Sequence, residues 1–530
     1  MARSIDLVCF FNISNCIAMA CTWVGYYLVC IIEFGNTVDT GGSIVKVYKY
    51  KKIVGLLVLT VASSIVLSDN IVLNVGGGPN PTRNQFSIES NVIWFDKVFK
   101  DGEFDKVITL FGSSGQAVRE VARLDIAESS ISPLSRVFEN DQLDRTSYQS
   151  TRVNSDVDQV LNSENLLSLI RSNVESLEDD DSLTLFFSGH GGRATSDSGN
   201  YLYLWDNTEL SLSSIYDATA EISEGVHLRT VFPQCYSGSF THLAFNNLNI
   251  SEGVRPGAPV CGFASVSPDR LSEGCTASIN TDEYRDYSSY FMGALTGSDR
   301  LGHRLVGDSD IDGDGNVSLR EAHLYAMAYG RSTDLPRSSS EEFLVENQLF
   351  NERWASWQKI DVKNEFSRAA RILSSDIDAE FGSSNFYSAL NEALIEREAA
   401  LSAFELDLSS LSRDVSKIQE IIREELMITW PELGAPYTKA FSDLLESSGS
   451  DISAWLEINP SYTELVPKQE LYDQVSSQVL DATRDVAQIH RIKRLLLLSR
   501  LHTNLMTQPG STRYNDYQAL RECESWIPPL

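Results

Sequence analysis

From residue 71 the chain alternates between two patterns of apolar and polar positions. Five short apolar runs, IVLNVGG at 71–77, KVITLFG at 106–112, LTLFFSG at 183–189, RTVFPQC at 229–235 and PVCGFAS at 259–265, end in Gly, Ser or Cys. Between several of them lie stretches with helical spacing, such as NVIWFDKVFKD from Asn91 and SENLLSLIRSNVESL from Ser163. Continuous apolar strands separated by helices predict an α/β fold, a parallel sheet with helices on both faces. In open sheets of this kind, binding and catalytic groups gather beyond the carboxyl ends of the strands. His190 and Cys235 each close or follow such a run.

Elsewhere the pattern changes. Residues 113–160, rich in Ser, Asp and Arg, read as an exposed loop or insertion. Beyond residue 340, Gly-poor segments with helical spacing, such as SALNEALIEREAALSAFELDLSSL, predict a separate all-helical region over 340–530. At the other end, residues 7–32 are mostly apolar, and a second apolar run, IVGLLVLTVASSIVL from Ile53, follows the basic YKYKK. Basic cluster, apolar core and small residues make a signal peptide over about 48–64, within an N-terminal targeting region 1–68. A single membrane anchor is the alternative. A start at Val45 or Val47 would leave residues 1–44 outside the translated chain, and on either reading the mature fold begins near residue 69.

Composition narrows the partners. A formal net charge of -30 over 530 residues argues against nucleic acid, whose phosphates need clustered Lys and Arg. It favours a soluble, extracytoplasmic or surface-exposed protein and is compatible with cation binding; with the signal peptide, the expected location is secreted or periplasmic. Of eight cysteines, Cys9, Cys16, Cys21 and Cys30 lie in the N-terminal stretch, leaving Cys235, Cys261, Cys275 and Cys523. Cys261 and Cys275 bracket a short loop; they read equally as a disulfide and as two unpaired small hydrophobes.

The candidate chemistry comes from two motifs: a strand followed by Ser-Gly-His190-Gly-Gly, then a strand followed by Gln-Cys235-Tyr-Ser-Gly. A thiol attacks as thiolate, which a neighbouring imidazole generates. The glycines let a substrate carbonyl approach, and the N–H groups of Gly191 and Cys235 are candidates for an oxyanion hole. No GK[ST], HExxH or GxSxG motif supports an NTPase, a zincin or a serine hydrolase.

FFSGHGG and VFPQCYSGSF together resemble the two motifs of the caspase–legumain superfamily of cysteine peptidases, and most of all its legumain-like (asparaginyl endopeptidase) branch with its bacterial relatives. The resemblance spans about residues 70–330. It implies a caspase/legumain-like parallel-sheet sandwich over 69–335, with His190 as general base and acid and Cys235 as nucleophile. It also implies a substrate pocket: Arg83 in GGGPNPTRNQ, with Ser265 and Asp282 as lining. Pro81 stands where the legumain segment has Asn, a departure from the family pattern two residues before that arginine. Legumains carry a helical C-terminal pro-region, so the region after 340 is a candidate for intramolecular inhibition, on position alone.

DIDGDGNVSLRE, residues 310–321, fits the EF-hand loop template. Asp310, Asp312, Asp314 and Glu321 would be side-chain ligands and Asn316 a carbonyl ligand for a structural Ca²⁺, with no organic cofactor. The expectation is therefore a secreted cysteine endopeptidase acting on polypeptides through a thioester acyl-enzyme. One alternative is a transpeptidase or transamidase using the same dyad. Another is a Ca²⁺-stabilised binding module on an inactive peptidase fold, and membrane contact would arise only through an N-terminal anchor.

Overall fold

The computed structural model describes residues 11–12, 15–24, 27–35, 68–113, 120–124, 133–138, 146–156, 160–349, 363–436 and 438–530. The chain divides into two compact units, Met1–Leu67 and Ser68–Leu530. In the first, strands Phe11–Asn12, Asn15–Val24 and Tyr27–Gly35 pair antiparallel in chain order. The segment expected as a signal peptide, 48–64, lies outside the described residues. Among the described residues no helix is long and apolar enough to cross a membrane.

The second unit is α/β and built on an eight-stranded, mostly parallel sheet. Its strands are β1 (Asn70–Gly77), β2 (Lys106–Phe111), β3 (Ser182–Gly192), β4 (Tyr201–Leu204), β5 (Thr208–Ser211), β6 (His227–Phe232), β7 (Val260–Ala264) and β8 (Arg337–Ser338). The five apolar runs form the parallel strands, in the order β2-β1-β3-β6-β7. Short β8 closes one edge antiparallel to β7. The hairpin β4–β5 pairs antiparallel with the last three residues of β3, His190 opposite Tyr203 and Gly191 opposite Leu202. Strand order reverses at β1 and β3, which opens a crevice at their carboxyl ends.

Side chains alternate along the strands with period two. Val72, Phe186, Val231 and Phe263 face α1 (Phe86–Asp101), α4 (Tyr287–Thr296) and α5 (Leu319–Tyr329). On that face Phe99 of α1 and Phe186 have ring centroids 4.7 Å apart. Each such enclosed ring contributes about 1.5–3 kcal/mol of burial. Leu73, Val75, Leu185, Phe187 and Leu228 point the other way, towards α2 (Ser163–Val174) and α3 (Leu212–Ala218).

Past β8 the described residues are helical: α6 (Ser339–Glu346), α7 (Glu365–Leu373), α8 (Phe386–Thr429), α9 (Lys439–Ile458), α10 (Pro460–Met506) and α11 (Thr512–Glu524), besides a short 3₁₀ turn at Pro431–Gly434. Helices α8 and α10, each about 65–70 Å long at 1.5 Å per residue, run antiparallel. Lys493 of α10 meets Asn391 of α8 at 3.1 Å, and Lys468 meets Asp414 at 3.1 Å.

These helices are not the separate region that their pattern predicts. Ile489, Ile492, Leu496 and Leu501 share one apolar cluster with Leu73 and Leu324. Glu524 is enclosed and accepts both the amide (2.7 Å) and the hydroxyl (2.6 Å) of Ser340. Cys523 of α11 is bridged to Cys261 of β7, Cα–Cα 5.9 Å, across 262 residues of sequence. Both readings of Cys261 and Cys275 are thereby corrected: they do not pair with each other, and of the two only Cys275 is a free thiol. In the polar insertion after β2, the described residues 146–156 are half-buried to exposed, as its composition implies, but the stretch 133–138 is packed. Leu134 and Val137 are buried in the cluster that joins α8, α9 and α10, where Gln419 and Gln469 donate to the Arg136 carbonyl at 2.9 and 2.7 Å.

Candidate active site

β3 is the longest strand of the sheet, and its last residues outrun their parallel neighbours into the crevice. His190 lies there, half-buried, one residue before Gly191. β6 ends at Phe232, and three residues later Cys235 sits beyond the carboxyl end of the strand next to β3. Tyr236 then takes a left-handed conformation, φ 60°, and the chain enters the 3₁₀ turns of Ser237–Ala244. A non-glycine residue in that region turns the chain sharply at the thiol, at a backbone cost of about 1–3 kcal/mol.

Two glycines bring the partners close. A Cβ on Gly191 would lie 2.0 Å from the Cys235 carbonyl oxygen, so the two backbones meet only because no side chain intervenes. A Cβ on Gly78 would lie 2.0 Å from the Arg83 carbonyl oxygen. That carbonyl accepts a hydrogen bond from His190 Nε2, 2.8 Å. Because a carbonyl only accepts, Nε2 carries the proton and Nδ1 is left as the basic nitrogen. Burial lowers the imidazole pKa, so the ring is neutral at neutral pH.

Cys235 Sγ accepts the amide N–H of Ser272 at 3.3 Å and lies 3.8 Å from the Ser272 carbonyl. Burial pushes the thiol up, opposed by the Ser272 backbone and reinforced by Asp334. The dyad therefore rests as neutral thiol and neutral imidazole. No hydrogen bond joins the two residues, a looseness common before substrate closes a catalytic pair. The Cys235 amide lies against its own sulfur and, with the Ser272 backbone, favours the thiolate. Gly191 lies in the β3–β4 ladder, paired with Leu202.

Cys275 is a second thiol at this crevice, its Sγ 3.8 Å from the Gly189 carbonyl. Its surface opens to solvent although protein atoms crowd it. That crowding, with the nearby charges of Cys235, Asp286 and Asp334, pushes it up to about 12. Such a thiol is a poor nucleophile.

No hydrogen bond or ion pair joins the three residues expected to form a substrate pocket. Arg83 is exposed, and its carbonyl, not its guanidinium, meets His190. Asp282 is exposed on a short turn and its carbonyl accepts from Arg285 at 2.7 Å; no contact links it to Arg83. Ser265 is fully enclosed behind Cys235, bonded to the Pro233 carbonyl (2.8 Å), Ser272 (2.9 Å) and Ser237 (3.3 Å). It supports the Cys235 loop and lines no pocket.

In the acidic loop, Asp310, Asp312 and Asp314 each offer an oxygen within 4.8 Å of the others. Hard carboxylate oxygens so grouped suit Ca²⁺. Glu321 is turned to a different task. One oxygen accepts the Ile311 and Asp312 amides at 2.9 and 3.1 Å, the other the Ser318 amide and hydroxyl, both at 2.9 Å. With Ser318 it forms a capping box that starts α5. Asn316 donates its amide to Asp314 at 2.8 Å.

No family model matches the chain. No curated protein matches it either. Among solved structures it is similar to a Geobacter sulfurreducens protein, GSU0716, at 13% identity and a TM-score of 0.30, over 51% of this chain and 92% of that one.

The pattern of the sequence does not reveal three contributors to the site: the Arg83 carbonyl, the Ser272 amide and the carboxylate of Asp334. The first two are backbone groups that any residue type supplies. Asp334 lies 62 residues beyond Ser272, outside any motif.

Proposed function

We propose that the chain is a cysteine-type endopeptidase hydrolysing polypeptides through His190 and Cys235. One observation carries the reading: the imidazole and the thiol lie at the carboxyl ends of adjacent parallel strands, with Gly191 pressed on the Cys235 carbonyl. Nδ1 of His190 takes the thiol proton, Sγ attacks the peptide carbonyl, and the Cys235 amide, released from the sulfur as it bonds to carbon, would receive the developing oxyanion. The imidazolium then protonates the leaving amine, and water, deprotonated by the same ring, hydrolyses the thioester.

A histidine after one strand and a cysteine after the next parallel strand is the arrangement that a caspase–legumain fold would require, and the finer fold assignment is part of this proposal. The Cys261–Cys523 bridge supports an oxidising, extracytoplasmic location. The aspartate triad supports a structural Ca²⁺, held by Asp310, Asp312 and Asp314 rather than by the full ligand set that the template implies. Such an ion would relieve repulsion among three carboxylates and play no part in bond cleavage.

The test is Cys235→Ala. It should abolish cleavage of a peptide library while the melting temperature stays within a few degrees of the unaltered chain, since the thiol is small. Cleavage that persists in the variant removes the assignment.

A further inference from the structure

Asp334 lies between α5 and β8 and has no exposed surface. Its Oδ1 accepts the Ser272 hydroxyl at 3.1 Å and the Glu273 amide at 2.9 Å, and its Oδ2 accepts the Tyr287 amide at 3.2 Å. Ser272 is the residue whose own amide meets Cys235 Sγ. Three donors from two separate segments thus converge on one carboxylate, directly behind the loop that contacts the sulfur.

We propose that Asp334 is a positioning residue for Cys235, holding through Ser272 and Glu273 the amide that receives the thiolate. The proposal rests on the reading of Cys235 as the nucleophile. A loop amide left to itself would turn to water, whereas this one is held from both sides, by Oγ of its own residue and by the next amide. Packing alone does not account for a carboxylate here, because enclosing an ion costs several kcal/mol unless its partners are well placed.

The same geometry couples two ionisations. A charged Asp334 opposes ionisation of Cys235, while its hydrogen bonds hold the donor that favours it. Burial, and then Glu273 and Asp286, hold this carboxyl up to about 7 against its bonds to Glu273 and Ser272. The cation facing it is Arg491 of α10, enclosed, with Nε and Nη1 unpaired. Glu273 is itself paired with Arg484 of α10. The remaining titratable groups within its field are Cys235, Cys275 and Tyr287. Near neutral pH Asp334 therefore passes between two charge states, and the thiol responds.

The experiment is alkylation of the full chain by iodoacetamide between pH 5 and 10, read at Cys235 by peptide mass spectrometry so that Cys275 is scored apart. Asp334→Asn keeps an acceptor for Ser272 and Glu273 and removes the charge. Its midpoint should fall by roughly half a pH unit or more, as loss of a nearby like charge requires, with severalfold faster labelling at pH 7. Ser272→Ala keeps the amide and cuts one tie to the carboxylate. Its midpoint should rise and its labelling should slow severalfold. If Asp334→Asn does not fold, the serine variant decides alone. Midpoints that coincide with that of the unaltered chain overturn the proposal. The readout needs no peptide substrate, so a chain without peptidase activity still gives an answer, and the failure of one reading is distinct from the failure of the other.

Discussion

Gly191 meets a demand that no other residue type satisfies, because its missing side chain is where the Cys235 carbonyl lies. The obstructing atom is backbone, so it cannot swing aside as the end of a lysine would. Gly191→Ala should force β3 and the Cys235 loop apart, costing about 1–3 kcal/mol of stability. On the proposed reading of His190 as base and Cys235 as nucleophile, an ångström of misplacement between them is worth about a hundredfold in rate. We expect kcat/KM on a cleaved peptide to drop on that order while the chain stays folded; an alanine variant with unchanged kinetics would show that the close approach is incidental. This is the scale at which the sequence was most legible. Glycines on both sides of His190 and after Cys235 mark places where backbones meet, and that signal survives without a structure. What it could not show is which atom of a residue acts. Arg83 attracts attention for its guanidinium, yet its carbonyl orients the imidazole. Ser265 reads as pocket lining and proves to be a buried strut.

At the scale of elements, period-two burial on β1 and β3 and helical spacing after 340 were readable because they record only which face each residue presents. The acidic loop shows the limit of a template. Its Asp positions converge, but Glu321 is held by four donors of the loop and the start of α5. A cap and a metal ligand compete for the same carboxylate, and spacing alone does not rank them. If the triad takes Ca²⁺, binding to the folded chain should add about 2.7 kcal/mol at a hundredfold excess over the dissociation constant. The melting temperature should then rise by several degrees when Ca²⁺ replaces a chelator. Asp312→Asn, at an exposed position, should erase most of that rise with little change in chelator. A thermal transition indifferent to Ca²⁺ in the unaltered chain would leave the loop as a helix start and nothing more.

For the whole molecule the question is whether residues 340–530 cover the site or hold it up. Sequence pattern separates them from the sheet because helical periodicity records a buried face but not what buries it. The contacts point to a scaffold. Arg484 and Arg491 of α10 bring their charges to Glu273 and Asp334, beside the loop that contacts Cys235. Arg229 of β6 lies 4.3 Å from the ring centroid of Trp526, beyond the last helix. Seven α10 residues, Ile489, Ile492, Leu495, Leu496, Leu498, Leu501 and Leu505, join the cluster that contains Leu324 and Met327 of α5. Even at about 1.5 kcal/mol each, their burial matches the whole net stability of an ordinary domain, about 5–15 kcal/mol. Losing the Cys261–Cys523 bridge removes about 2–5 kcal/mol more. Truncation after residue 340 should therefore give an aggregated or molten chain without activity, read by near-UV circular dichroism and by peptide cleavage. Reducing the bridge in the full chain should lower the melting temperature without raising the rate of cleavage. Intramolecular inhibition makes the opposite forecast: a soluble fragment ending near residue 340 that cleaves faster than the full chain would show that the helices are a cover, and that the sheet stands without them.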